Sequence, residues 1–177
     1  NLGFEPYGLD ISPTISDLKD YNVKQVDFIN DEAPYTEEKF DFIFSKSVVE
    51  HLQEPSGYLS AIYQSLEDGG KAVIMTPSWS HTYWGPFYID YTHVTPFTAY
   101  SLQSALEMAG FENVNVKYFY QLPVLWKYPW LTPFIKLFSK LPLPYAPYNK
   151  VPWSIANKFN KLIRFSKEPM LMAIVEK

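Results

Sequence analysis

Two aspartates stand at the ends of short apolar runs, Asp10 closing "YGLD" and Asp27 within "VDF". In an open parallel sheet, ligands gather at the carboxyl ends of the strands. A carboxylate there accepts two hydrogen bonds from a diol such as that of a ribose, because it carries acceptors only. The plainer reading of Asp10 is an N-cap for a helix starting near Pro13. Ile11 behind it is either a face for a planar ring or plain core. A second group is built on histidine. His93 lies in "YIDYTHVTPFT", close in sequence to Tyr88, Asp90 and Tyr91. An imidazole titrating near neutrality can take a proton from an acceptor hydroxyl. It can equally tie its loop to a sheet through one hydrogen bond. The Glu50–His51 pair reads most simply as capping and dipole compensation at a helix start, with catalysis by His51 as the alternative. His81 reads as a loop residue and Lys46 as a solvated charge.

Composition removes several chemistries. There is no Cys, which excludes disulfides, thiolate catalysis and Cys-held zinc or iron–sulfur clusters. Three His residues argue against a His-rich metal centre, and no metal is expected. The seven Gly residues form neither G-x-G-x-x-G nor G-x-x-x-x-G-K, so no self-contained phosphate loop is present. Tyr35 and Lys39 match the YxxxK pair of short-chain dehydrogenases. Pro34 and the strand that follows leave no room for the long helix such a pair needs, so the match reads as chance.

The elements that must position these residues follow from the pattern. A chain of 177 residues with 47% apolar and 19% charged residues is globular, with one core. Strands are predicted at "EPYGLDIS", "VKQVDF", "FDFIFSKSVV", "KAVIMTP", "FENVNVKYFYQL" and "PMLMAIVEK". Between them come a short helix from Ser12–Pro13 and a helix through Tyr58, Leu59, Ile62, Tyr63 and Leu66, closed by Gly69 and Gly70. A long aromatic loop spans Ser78 to Thr95. A helix follows, with Thr95 as N-cap, Pro96 at its first position and Gly110 as C-cap. Strands alternating with helices predict a three-layer α/β sandwich with a mostly parallel sheet. Two late strands without a crossover helix predict an antiparallel last strand.

The order of "YGLDIS", "VDF", "KFDFIFSKSVVEHL", "SLEDGGKAVIMTP" and "YTHVTPFTAYSLQSALEMAGFENV" resembles the class I S-adenosylmethionine-dependent methyltransferases, type 11 or type 23. The resemblance runs from about Gly3 to Val116 and resumes in the last strand. It implies a Rossmann-like sandwich and S-adenosylmethionine as cofactor. It also implies that Asp10 holds the ribose, that Ile11 packs on the adenine, and that Asp27 with the neighbouring Phe28 amide meets the adenine edge. Ser45 falls beside the transferable methyl group, with a simple strand exit as its alternative. The family's opening strand and loop, roughly D/E-x-G-x-G-x-G, have no counterpart here, so the chain looks N-terminally truncated, with a gap or a neighbour's strand expected mid-sheet. Strand exchange into a homodimer is one consequence. The implied activity is methyl transfer to a small-molecule acceptor or one linked to a lipid or glycan. The alternatives are a non-catalytic methyltransferase-like binding module and a Rossmann-type nucleotide-dependent oxidoreductase.

Charge divides the chain. Residues 1–120 carry 17 acids against six lysines, and residues 121–168 carry eight Lys or Arg against one Glu. The division predicts a core over 1–120, an aromatic, basic, Pro-rich insertion over 121–168, and a final core strand over 169–177. Within the insertion, Trp126, Trp130 and Trp153 are interleaved with Lys127, Lys136, Lys140, Lys150, Lys158, Lys161 and Arg164. Helical spacing puts Phe134, Leu137, Phe138 and Leu141 on one face, and Ile155, Phe159, Leu162 and Ile163 on another. These faces either cap the acceptor pocket or meet a membrane interface through 121–167. Nucleic acid is not expected as a partner, because the remaining surface is acidic. The expected location is cytoplasmic, with membrane contact left open.

Overall fold

The computed structural model describes residues 3–28, 38–146 and 155–177, the last with side chains from residue 158. Strands β1 (Tyr7–Asp10) and β2 (Asn22–Gln25) pair in parallel, Asp10 opposite Gln25. The connection is a 3₁₀ turn, Pro13–Asp17, capped by the Ser12 hydroxyl. A second sheet holds β3 (Phe40–Lys46), β4 (Leu66–Pro77), β5 (Glu112–Phe119) and β6 (Met170–Glu176) in the order β3-β4-β6-β5. β3 and β4 are parallel, while β6 is antiparallel to both of its neighbours. So β3, β4 and β5 run one way and β6 alone opposes them, as the element order predicts.

The expected single sheet through Gly8–Ile11 and Phe40–Phe44 is not formed. β1–β2 and the four-stranded sheet share no ladder. Ladder bonds need strands about 4.8 Å apart, and β1 and β3 meet through side chains instead, the Tyr7 and Phe40 rings lying edge-on at 5.3 Å. The break falls where the resemblance places the family's first strand.

Helix α1 (Pro55–Ser65) buries Leu59 and Ile62. It ends at Ser65, and Gly69 and Gly70 do not cap it as predicted. They lie inside β4, in the bulge between its Leu66 and Lys71 pairings with β3, and are tied to the end of β6, with the Gly69 amide donating to Lys177 O and the Lys177 amide to Gly70 O, both at 3.0 Å. Gly69 has φ +81°, and a Cβ on Gly70 would come within 2.8 Å of Glu67 O. The predicted aromatic loop contains α2 (Trp79–Thr82) and a 3₁₀ turn, Pro86–Ile89. α3 (Ala99–Met108) is capped by Thr98, not Thr95, through a capping box with Ser101. The Thr95 hydroxyl instead donates to Leu52 O. Leu59, Leu66, Ile74, Leu102, Leu106 and Leu171 are fully buried in one core joining α1, α3 and the sheet. Each such side chain stabilises the fold by about 1.5–3 kcal/mol.

Residues 121–168, the predicted insertion, hold α4 (Pro123–Lys127), a 3₁₀ turn Pro129–Leu131, α5 (Thr132–Ser139) and α6 (Ile155–Lys167). Its own cluster joins Tyr120, Leu122 and Leu125 to Leu131, Ile135, Leu162 and Phe165. The two predicted apolar faces have different fates. On α6, Leu162 packs inward and Ile163 is buried, while Phe159 is exposed. Around α5, Phe134 (63%), Leu137 (67%) and Leu141 (47%) face outward. Lys150, Trp153, the Ile155 side chain, Pro34 and Tyr35 lie outside the described residues. Among the described residues, no helix is long and apolar enough to cross a membrane.

Candidate functional site

The first group lies at the ends of β1 and β2. The Val26 amide donates to Asp10 O at 2.9 Å and Gln25 Nε2 to Ile11 O at 3.0 Å. These bonds hold the two strand ends together, with Asp10 and Asp27 at one edge. Asp10 is exposed, and its Oδ1 accepts the Ser12 amide at 2.7 Å. That bond orders the turn but takes one of about four acceptor positions on the carboxylate. Ser12, not Asp10, is the cap. Ile11 is 62% exposed, so the plain-core reading is overturned. Asp27 and Phe28 are half-buried, and the Phe28 ring meets Tyr58 edge-on at 4.9 Å. Ser45 is buried, and its hydroxyl shares a 2.9 Å hydrogen bond with the Tyr58 hydroxyl. Burial is the main reason the Tyr58 phenol titrates above its ordinary range. Tyr58 therefore joins Phe28 to Ser45, a role hidden while it reads as one apolar position of a helix. The signal available was its hydroxyl, which needs a partner when buried.

A second group forms where residues 49–52 meet 90–95. The amides of Val94 and Thr95 both donate to Glu50 O, at 2.8 and 3.0 Å. This brings the His51 and His93 rings to 4.7 Å. Glu50 is fully buried in the 3₁₀ turn Val49–His51, so the predicted capping role gives way to a different one. Its Oε2 accepts the Thr76 hydroxyl at 2.9 Å, and its Oε1 has no hydrogen-bond partner among the described residues. Burial pushes the carboxyl above its ordinary range, opposed by hydrogen bonds from the backbone and Thr76 and by the two imidazoles.

The tautomers of both histidines follow from their partners. His93 Nδ1 lies 2.7 Å from Phe87 O, which can only accept, so Nδ1 carries the proton and Nε2 the lone pair. The Thr92 hydroxyl donates to Asp90 Oδ1 at 2.6 Å. Its oxygen therefore accepts from His51 Nδ1, 2.8 Å away, which again leaves Nε2 bare. The Thr92 hydroxyl and amide hold Asp90 below the usual carboxylate range. Asp90 Oδ2 stands 4.0 Å from His93 Nε2, beyond hydrogen-bond reach. His81 sits apart from this pair. It bonds Ser78 Oγ at 3.0 Å, and burial lowers its pKa.

Glu50, Asp90 and His93 border a cavity of about 260 Å³ at the carboxyl ends of β3 and β4, with Lys46, Ser47 and Pro77. Its far wall is Gln121, Arg164, Glu168 and Met170, so α6 closes it. That wall is braced by Arg164 Nε on Glu168 Oε2 at 2.9 Å and by the Tyr145 hydroxyl on Glu168 Oε1 at 2.6 Å. Asp10, Ile11, Asp27, Phe28 and Ser45 do not border this cavity. The predicted site residues thus fall into two groups, one at the ends of β1 and β2 reaching Ser45 through Tyr58, the other around His93 and His51. The chemistry of the first, two carboxylates beside an exposed aliphatic face and an aromatic edge, fits a nucleoside. The second fits a small polar acceptor that loses a proton.

Comparison with known proteins bears on the family and the fold. A family model described as a methyltransferase domain matches residues 1–116. The ubiquinone biosynthesis O-methyltransferase of Ruegeria sp. (strain TM1040) is 32% identical over 113 residues, covering 51% of this chain and 42% of that protein. The chain thus spans less than half the length of this relative. Among solved structures, a SAM dependent methyltransferase from Archaeoglobus fulgidus superposes with a TM-score of 0.60 at 22% identity, over 99% of this chain and 77% of that one. An S-adenosylmethionine dependent methyltransferase from Mesorhizobium loti gives 0.59 at 14% identity, over 97% and 79%. These two likenesses are likenesses of fold.

Proposed function

Because the chain belongs to the methyltransferase domain family, we propose that it transfers a methyl group from S-adenosylmethionine to the oxygen of a small hydroxyl-bearing acceptor. The cofactor supplies an activated methyl on a sulfonium. Asp10 accepts from the ribose hydroxyls, and Asp27 with the Phe28 amide takes the adenine edge. Ile11 covers a ring face, and Ser45, fixed by Tyr58, stands beside the methyl group. The acceptor occupies the cavity closed by α6, where proximity and alignment supply most of the rate. His93 Nε2 takes the acceptor's proton.

The observation that carries this reading is the commitment of His93 Nδ1 to Phe87 O, which leaves Nε2 as the ring's base on the wall of that cavity. Oxygen as the acceptor atom is supported by the relative named as an O-methyltransferase. The test is S-adenosylhomocysteine release by the full-length protein with panels of phenols, alcohols and amines. Turnover with hydroxyl compounds, cut about 10²-fold or more in His93→Gln, is expected. Turnover with amines alone would contradict it.

A lipid-linked acceptor, or a membrane surface holding it, is the second reading, and the exposed side chains around α5 favour it. Trp130, Phe134, Leu137 and Leu141 face outward beside Lys136 and Lys140 in the sequence. Aromatic residues favour the headgroup depth, and each nearby Lys adds about 1 kcal/mol on anionic lipid. Co-sedimentation with anionic vesicles, weakened in Leu137→Glu, is the expected result. No binding at low salt to anionic or neutral vesicles would leave the insertion as a cap alone.

A further inference from the structure

We propose that Glu50, His51 and His93 form a binding site for a first-row divalent transition ion such as Zn²⁺ or Co²⁺. One ligand atom from each of the three lies within 4.8 Å of the others. This departs from the expectation of no metal, which rested on a count of histidines and not on their placement. Two imidazole nitrogens and one carboxylate oxygen suit zinc and its neighbours, whereas magnesium and calcium take oxygen.

Three independent features point the same way. First, both rings donate a hydrogen bond through Nδ1–H, His93 to Phe87 O at 2.7 Å and His51 to Thr92 Oγ1 at 2.8 Å. Metal-bound histidines are held in this manner, the second nitrogen donating to a fixed acceptor so that the first presents its lone pair. Secondly, Glu50 is fully buried with Oε2 engaged by Thr76 and Oε1 left without a partner among the described residues. A buried, unpaired carboxylate oxygen is costly, and a cation beside it removes the cost. Thirdly, Glu50 and His93 reach the same cavity, so an ion there can be approached from outside. Three protein ligands leave a position open, the arrangement of catalytic and not of structural zinc. With an ion bound, the acceptor's oxygen would be ligated in the open position and its pKa lowered, so that its proton would leave to solvent water and His93 Nε2 would serve as ligand in place of base.

The test reads metal binding and needs no turnover, so it stands or falls apart from methyl transfer. Co²⁺ is titrated into the metal-stripped full-length protein, followed by its visible absorption, and displaced with Zn²⁺. One ion per chain is expected. His93→Gln should weaken Co²⁺ binding at least tenfold. Thr92→Val, at an exposed position, removes the acceptor that orients His51 together with the hydroxyl's bond to Asp90, and should cost about tenfold. His81→Gln should bind as the parent does. Circular dichroism confirms that each variant is folded, and Thr92→Val and His93→Gln carry the test should Glu50→Gln fail to fold. No saturable Co²⁺ band in the parent would overturn the proposal. So would unchanged affinity in folded His93→Gln and Thr92→Val, or a band lost in His81→Gln.

Discussion

Single residues here owe their chemistry to where the fold leaves them. His81 is the clearest titrating case. Burial lowers its pKa, so the folded state favours the neutral ring. Above about pH 6.5 the ring is neutral in both folded and unfolded chains, and the group adds no pH dependence. As pH falls through that value the unfolded chain protonates first and stability drops. Melting temperatures measured from pH 8 down to pH 5 should therefore fall, and fall less in His81→Gln. An equal fall in both would remove His81 as a cause. Asp10 and Asp27 were legible as strand-end carboxylates because that depends on local pattern. Glu50 was not. In "SVVEHL" it reads as an acid at a helix start, and only the return of Val94 and Thr95 onto its carbonyl shows it sealed beside Thr76. His51 and His93 are 42 positions apart in sequence, and no spacing rule joins them.

At the scale of elements, every predicted strand is present, and the misplacements are at helix ends. Thr95 and Thr98 are both N-cap residue types. The choice falls to Thr98 because Ser101 completes a capping box, while Thr95 is drawn to Leu52 O. Thr98→Ala should then cost about 1 kcal/mol in a denaturant titration. A loss no larger than that of an exposed surface change would mean that the cap is not what starts α3. Gly69 and Gly70 were misread for a related reason. The pair marks a bulge in β4, but its partner is the end of β6, more than 100 residues on, which no local pattern reveals. The two amphipathic helices of the insertion had the same signature, and packing separated them. α6 packs Leu162 and Phe165 against Tyr120, Leu122 and Leu125 and lends Arg164 to the cavity wall, whereas α5 leaves Phe134 and Leu137 outside.

Over the whole molecule, the α/β architecture with one opposed strand was legible from the alternation of elements, whereas the break between the two sheets was expected only from the resemblance, as a gap mid-sheet. Pairing between β1 and β3 depends on what stands between them, and periodicity does not report that. The division leaves β3 with one hydrogen-bonded neighbour among the described residues, β4, and with Phe42 (56%) and Phe44 (58%) exposed on one face. Such an edge favours pairing with a second copy. Sedimentation velocity of this 177-residue chain should show concentration-dependent self-association that Phe44→Lys reduces. A monomer at every concentration would rule out strand exchange. The reading as a whole rests on the carboxyl edge of β1 and β2 holding the cofactor, and one titration decides it. S-adenosylhomocysteine is titrated calorimetrically into the full-length protein and into Asp10→Ala, both shown to be folded. Saturable binding that Asp10→Ala weakens by about 1.5–3 kcal/mol, the range for hydrogen bonds to a charged group, is predicted. No binding by the parent, or the same affinity in both, would contradict it.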